Sequence, residues 1–328
     1  MDLPGSPSQS PVLPKPPPKS VNSAPGLKQA KTKSNRLGRY LVTGRLGQGG
    51  MGVVYEAEDA LLKRKVAIKL LPKEISTNSE ALKRFLREAQ AAAKLSHPNV
   101  VAVYDIGNED GSYYIVMELI TGGNAQEVLR SRGPFHWTEA TSIVMDVCRG
   151  MAAAHKAGLI HRDIKPANIL RSTEGVVKLS DFGLVKPAGR KGTVVTALGE
   201  VVGTPHYMSP EQGQSSAVDE RSDIYALGAT YYALLTGRPP FEAADSMQVL
   251  FAHCSQPIPD PRRIAADVPE KCVAIIRKAM AKNRAERYAS AGQMLKELEQ
   301  IETLAPASPT SATPPAFVWC KTGSSEHS

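Results

Sequence analysis

The chain has 328 residues, 42% hydrophobic and 22% charged, which describes a globular protein with core enough for one large domain or two modest ones. Cys148, Cys254, Cys272 and Cys320 stand far apart with no metal-ligand spacing, which argues against a disulfide framework and for a reducing compartment. The formal charge of +8 does not describe a nucleic-acid surface, because residues 1–39 hold seven basic residues against Asp2 alone and leave only +2 for the rest.

Residues 1–38 carry eight prolines and many Ser and Lys, too little apolar surface to offset chain entropy, so they read as a disordered basic tail. Within it, 14–18 has the composition of a polyproline ligand. Those prolines also occupy the place of a signal-peptide apolar core, and the most membrane-like window, 224–235, is short and flanked by Asp223 and Arg238. A cytoplasmic protein without a membrane span is the expectation.

Residues 40–46, 52–59 and 65–71 are rich in β-branched and aromatic residues between glycine and charge, and read as strands. A helix follows over 79–95, capped by Asn78 or Ser79, with Phe85, Leu86, Ala89, Ala92, Ala93 and Leu95 as its apolar positions. Strands return at 100–106 and 113–118. Helical periods then dominate, over 125–130, 138–157, 219–235, 246–251, 270–280 and 290–303. A small strand-rich half before a large helical half predicts two lobes with a cleft near 118–123. Residues 302–328 are again rich in Ala, Ser, Thr and Pro, a flexible tail in which Phe317 and Trp319 stand out.

The chemistry gathers at several points. Gly47, Gly49 and Gly52 lie between two strands, where the backbone of a hairpin can approach phosphates without a side-chain clash. The context differs from a dinucleotide fingerprint, in which the glycine turn opens a helix. Lys69 sits among apolar residues on the next strand, where its charge needs a partner. Glu88 offers one, although pairing with Arg84 four residues earlier is the simpler reading of a helical glutamate. The run from His161 to Asn168, followed thirteen residues later by Asp181-Phe182-Gly183, supplies two acids, a lysine and an amide. Asp163 can orient an acceptor hydroxyl or take its proton. Lys165 can offset charge on a transferring phosphoryl group, and Asn168 and Asp181 are oxygen donors suited to Mg²⁺.

Together these residues resemble the eukaryotic-like (Hanks-type) protein serine/threonine kinases, most closely their bacterial members, over about 40–301. The resemblance implies an α+β fold of two lobes: a small antiparallel sheet lobe with one key helix (39–117), a hinge (118–123) and a larger mainly helical lobe (124–301). It implies ATP and Mg²⁺ as cofactors, with Mn²⁺ as an alternative metal, and proteins bearing Ser or Thr as substrates. Lys69, Glu88, Asp163 and Lys165 become the catalytic set, and Asn168 and Asp181 the metal ligands. Gly47, Gly49, Gly52, Val54, Ala67, Lys69, Met117, Glu118, Ile120 and Leu170 become the nucleotide site. In it Met117 controls the back of the adenine pocket, the backbone at Glu118 and Ile120 binds adenine, and Ala67 and Leu170 sandwich the ring.

The resemblance also assigns supporting roles. Phe182 is expected to pack on the Glu88 helix, Asp223 to brace the catalytic loop and Arg287 to pair with Glu211. Ser209-Pro210-Glu211 stands where the family usually has Ala-Pro-Glu, a mild departure that keeps the glutamate. Lys165 and the segment around Thr204 resemble the serine/threonine branch, with Thr204 seating the substrate. Arg162 before Asp163 implies control by a phosphate, for which Thr196 and then Thr193 are the candidate acceptors, phosphorylated between copies in trans. A kinase-fold scaffold without activity is the alternative, disfavoured because Lys69, Asp163 and Asp181 are all present. A small-molecule kinase is disfavoured by Thr204 and the full 181–211 segment.

Overall fold

The computed structural model describes residues 35–49, 52–182, 205–214 and 217–302. The first half is one antiparallel sheet of six strands: β1 (Arg36–Leu37), β2 (Tyr40–Gly49), β3 (Gly52–Asp59), β4 (Arg64–Leu70), β5 (Val103–Glu109) and β6 (Ser112–Glu118). They lie in the order β1-β2-β3-β4-β6-β5. Short α1 (Lys73–Ser76) and longer α2 (Ser79–Ala93) stand between β4 and β5.

Strand periodicity sorts the side chains of β4 between two faces. Val66 and Ile68 join Leu37, Tyr40, Ala57, Tyr114 and Val116 in one buried cluster. The opposite face carries Ala67 and Lys69, and Leu71 just beyond packs with Phe85, Ala89 and Ile115 under α2. Asn78 caps α2 by accepting from the N–H of Ala81, and Phe85, Ala89 and Ala92 form its buried stripe.

The second half contains α3 (Ala125–Arg132), α4 (Trp137–Lys156), the hairpin of β7 (Ile169–Arg171) and β8 (Val177–Leu179), α5 (Pro210–Gly213), α6 (Glu220–Thr236), α7 (Ser246–Ser255), α8 (Glu270–Ala279) and α9 (Ala291–Glu302). A reciprocal capping box between Asn124 and Glu127 starts α3. Every residue of α6 from Ser222 to Thr236 is buried, so this helix is the pillar around which α4 and α8 pack.

Two differences from the sequence reading stand out. Arg36–Leu37, read as tail, pair with Leu41 and Tyr40, because Leu37 is drawn into the cluster beneath β2. The strand read over 100–106 begins at Val103. Residues 100–101 instead run beside β8, with a parallel bridge from Val100 to Leu179 and a bond from the Val101 N–H to the Leu179 carbonyl. There α4 approaches closely: a Cβ on Gly150 would lie 2.5 Å from the carbonyl oxygen of Asn99.

Candidate active site

The loop between α4 and β7 is built around Asp223. Buried near the start of α6, this carboxylate accepts from the backbone N–H groups of His161 and Arg162, each at 2.7 Å, and contacts His155 Nε2 at 2.8 Å. Two N–H groups aimed at one fixed carboxylate hold a strained turn, and Arg162 has a left-handed φ of 63°. His161 is buried and its pKa is lowered, burial being the main cause. Its Nδ1 accepts from the Asp163 N–H at 3.2 Å, which leaves Nε2 to donate to the Ser180 carbonyl at 2.7 Å. The neutral ring therefore ties Asp163 to the residue before Asp181.

Asp163 lies among cationic and amide donors. Lys165 Nζ is 3.0 Å from its Oδ2, and Asn168 Nδ2 donates to the same oxygen at 3.1 Å and to the Asp163 carbonyl at 2.8 Å. Asn168 is in turn bound through its carbonyl, which accepts from the N–H and hydroxyl of Ser180. With its amide nitrogen committed to Asp163, Asn168 keeps its side-chain oxygen as the donor suited to a hard cation. Asp181 follows Ser180 directly, with a φ of 57°. Among the described residues no group of three or more His, Cys, Asp or Glu could hold a metal. The Asn168 amide oxygen and the Asp181 carboxylate are donors of the type that suits a hard divalent cation.

The expected pair between Lys69 and Glu88 is not formed. Lys69 Nζ lies 2.7 Å from Asp181 Oδ1. Glu88 instead faces Arg162, whose guanidinium is 3.5 Å away. Burial raises the pKa of Glu88 against the opposing pull of Arg162, Arg84 and Arg87. Two cations, Lys69 and Arg162, and two acids, Glu88 and Asp181, thus meet in this region, and the sequence could not say which would pair. Phe182 sits against the His161 ring, 4.7 Å between centroids, in the buried cluster that contains Ala92 of α2.

Sheet register aligns the expected nucleotide residues. Val54, Lys69 and Ile115 are successive partners across β3, β4 and β6, and Ala67 partners Met117. The β2–β3 hairpin pairs Gly47 with Val54 and Gly49 with Gly52. Gly52 has a φ of 114°, and a Cβ there would lie 2.2 Å from the Leu70 carbonyl oxygen, so no other residue fits. Glu118 ends β6, and Ile120 is half-buried in the linker beyond it. Leu170 is held beneath that linker by bridging Asn124, while the next N–H, of Arg171, bonds to the Gly123 carbonyl. Behind Lys69, a cavity of about 20 Å³ is lined by Met117, Val103, Asp181 and Phe182.

Glu211 and Arg287 form a two-pronged ion pair with contacts of 2.7 and 2.9 Å, and the Ser222 hydroxyl donates to the same carboxylate. Burial alone would raise the pKa of Glu211, but Arg287 and Ser222 outweigh it and hold the group at about 2. Gly183, Thr193, Thr196 and Thr204 lie outside the described residues.

Residues 40–298 match the family model described as the protein kinase domain. The chain belongs to the protein kinase family.

Its relatives are bacterial kinases of the Hanks type. It is 42% identical over 257 residues to the serine/threonine-protein kinase PrkC of Bacillus subtilis, covering 78% of this chain and 39% of that protein. It is 39% identical over 278 residues to the serine/threonine-protein kinase PknB of Mycobacterium tuberculosis, covering 82% and 44%. The chain thus spans about two fifths of the length of the curated relatives it matches. The PknI kinase domain of M. tuberculosis superposes with a TM-score of 0.65 at 28% identity, covering 80% of this chain and 96% of that one.

Within this kinase fold, two further residues support the loop, and sequence reading did not single them out for it. His155, in the last turn of α4, contacts Asp223, and Gln212 of α5 donates from Nε2 to the Arg162 carbonyl at 3.1 Å. His155 reads as an ordinary helix residue. Gln212 stands directly after Glu211, but nothing in its type says that it reaches a loop fifty residues away.

Proposed function

We propose that this domain transfers the γ-phosphoryl group of ATP to serine and threonine hydroxyls of proteins. The observation that carries the reading is the continuous bonded path from Asp163 and Lys165 through Asn168 to Ser180, next to Asp181. It holds a carboxylate, an ammonium and two oxygen donors for a divalent cation on one rigid scaffold, and phosphoryl transfer is catalysed chiefly by such positioning.

In this reading Asn168 and Asp181 hold Mg²⁺, or Mn²⁺, which neutralises phosphate charge when bound. Lys69 binds the α- and β-phosphates. Asp163 orients the acceptor hydroxyl and receives its proton late in the transfer. Lys165, already within reach of Asp163, stabilises the equatorial oxygens of the phosphoryl group. The backbone at Glu118 and Ile120 binds adenine, with Ala67 and Leu170 on its two faces, and Thr204 seats the peptide.

Arg162 supports a regulatory role for the same loop. A phosphate on Thr196 or Thr193 competes with Glu88 for its guanidinium, and a released Glu88 can turn to Lys69 while Asp181 turns to the metal. A second copy of the chain is the natural donor of that phosphate. A cytoplasmic location, where ATP is available, is the reading that the unpaired Cys148, Cys254 and Cys272 support. Among the described residues no helix is long and apolar enough to cross a membrane.

Phosphate transfer from ATP/Mg²⁺ to a protein substrate tests the reading. Asp163→Asn is expected to lower kcat by about a thousandfold or more while nucleotide still binds. Equal turnover in variant and parent would sink the proposed site.

A further inference from the structure

Glu118 is the last residue of β6, where the sheet gives way to the linker. Both its backbone and its side chain are engaged. Its N–H donates to the Ala102 carbonyl at 2.9 Å. Its Oε2 accepts from the Ala102 N–H at 3.2 Å and from Lys178 Nζ at 3.1 Å. Lys178 belongs to β8, directly across the ladder from Leu170 and three residues before Asp181. The two side chains are 15% and 24% exposed, so the pair is largely withdrawn from water.

One ammonium therefore connects three parts of the nucleotide site that are remote in sequence: the linker strand, the floor strand and the run into Asp181. We propose that Lys178 is a positioning residue for ATP, fixing the spacing between the backbone at Glu118 and the floor at Leu170. This rests on the nucleotide site proposed above. Adenine is gripped edge-on by the linker and face-on by Leu170, so its affinity depends on the separation of two elements that belong to different lobes. Without Lys178 the half-buried Glu118 carboxylate keeps the Ala102 N–H as a donor and turns toward water, loosening the side-chain tie between the linker and β8. An open-surface ion pair would not hold that spacing, since such pairs contribute little. This one shares its acceptor oxygen with a backbone N–H and is mostly shielded.

The test measures binding of a fluorescent ATP analogue with Mg²⁺ and, separately, steady-state transfer. Lys178→Met is expected to raise both Kd and KM for nucleotide about fivefold, with a much smaller change in kcat. Lys178→Arg, which keeps the charge, restores most of the affinity at an unchanged melting temperature. In a Glu118→Gln background, Lys178→Met adds almost nothing, because its partner is already lost. An unchanged Kd in Lys178→Met overturns the assignment, as does an equal loss in both backgrounds. A protein that binds the analogue with this pattern but transfers no phosphate would overturn the transferase reading and leave Lys178 in its role.

Discussion

Lys69 and Asp181 are a buried cation and its partner, and substituting them has unequal consequences. The Lys69 side chain is 7% exposed and the Asp181 side chain 30%. Removing the lysine leaves an acid that water can reach. Removing the acid strands an ammonium that water cannot. Lys69→Ala is therefore expected to cost at least about a hundredfold in kcat with the fold retained. Asp181→Asn should cost a similar amount of activity and a further ~1–3 kcal/mol of stability. Urea denaturation of the two variants decides this, and equal midpoints would mean that the pair carries no buried charge. At this scale the sequence was informative about which residues matter and uninformative about pairing. Val66-Ala67-Ile68-Lys69 announces a lysine that needs an acid, but Glu88 and Asp181 are both acids, and only the positions of α2 and β8 select between them.

At the scale of elements, α5 shows how a four-residue helix comes to matter. Its Glu211 is bound to Arg287, and its Gln212 bonds to the carbonyl of Arg162. Anchoring α5 therefore anchors the catalytic loop. Glu211→Gln should destabilise the domain by about 3–5 kcal/mol, because it leaves Arg287 buried beside a neutral partner. The effect is pH-dependent with a definite sign. The carboxyl ordinarily titrates near 4.5 and is held at about 2, so its contribution is complete above 4.5 and lost as the pH falls toward 2. The gap in unfolding free energy between parent and Glu211→Gln should narrow by about 2 kcal/mol between pH 5 and pH 3. A constant gap would remove the charge from the explanation. The helices α4, α8 and α9 were legible because their apolar positions recur over ten residues or more, and α6 because its apolar run is too long for a strand. The strands β7 and β8 have three residues each, and β1 two, too few for any period to declare itself.

For the molecule as a whole, the two-lobed plan followed from a strand-rich half preceding a helical half. What composition did not disclose is how charge crosses between the halves: Lys69 to Asp181, Arg162 to Glu88 and Lys178 to Glu118. The proposed regulation belongs to this scale, since a phosphate that drew Arg162 away would free Glu88 and with it the helix α2. Alanine at both Thr193 and Thr196 is expected to slow initial peptide phosphorylation at least about tenfold, measured after incubation of each protein with ATP/Mg²⁺. An unchanged rate would show that Arg162 answers to something else.

The close approach at Gly150 carries a consequence for recombining this domain with its relatives. Chain order assigns residues 97–102 to the first half, yet Asn99 bonds to Val177 and Leu179, and Val101 to Leu179. With the Gly150 contact, this segment is fastened to the second half backbone against backbone. A chimaera that exchanges everything before residue 118 would pair a foreign 97–102 segment with the resident β8 and α4. Crossovers placed after Ala93 and before Val103, which leave that segment with its own helix, are the ones that should fold.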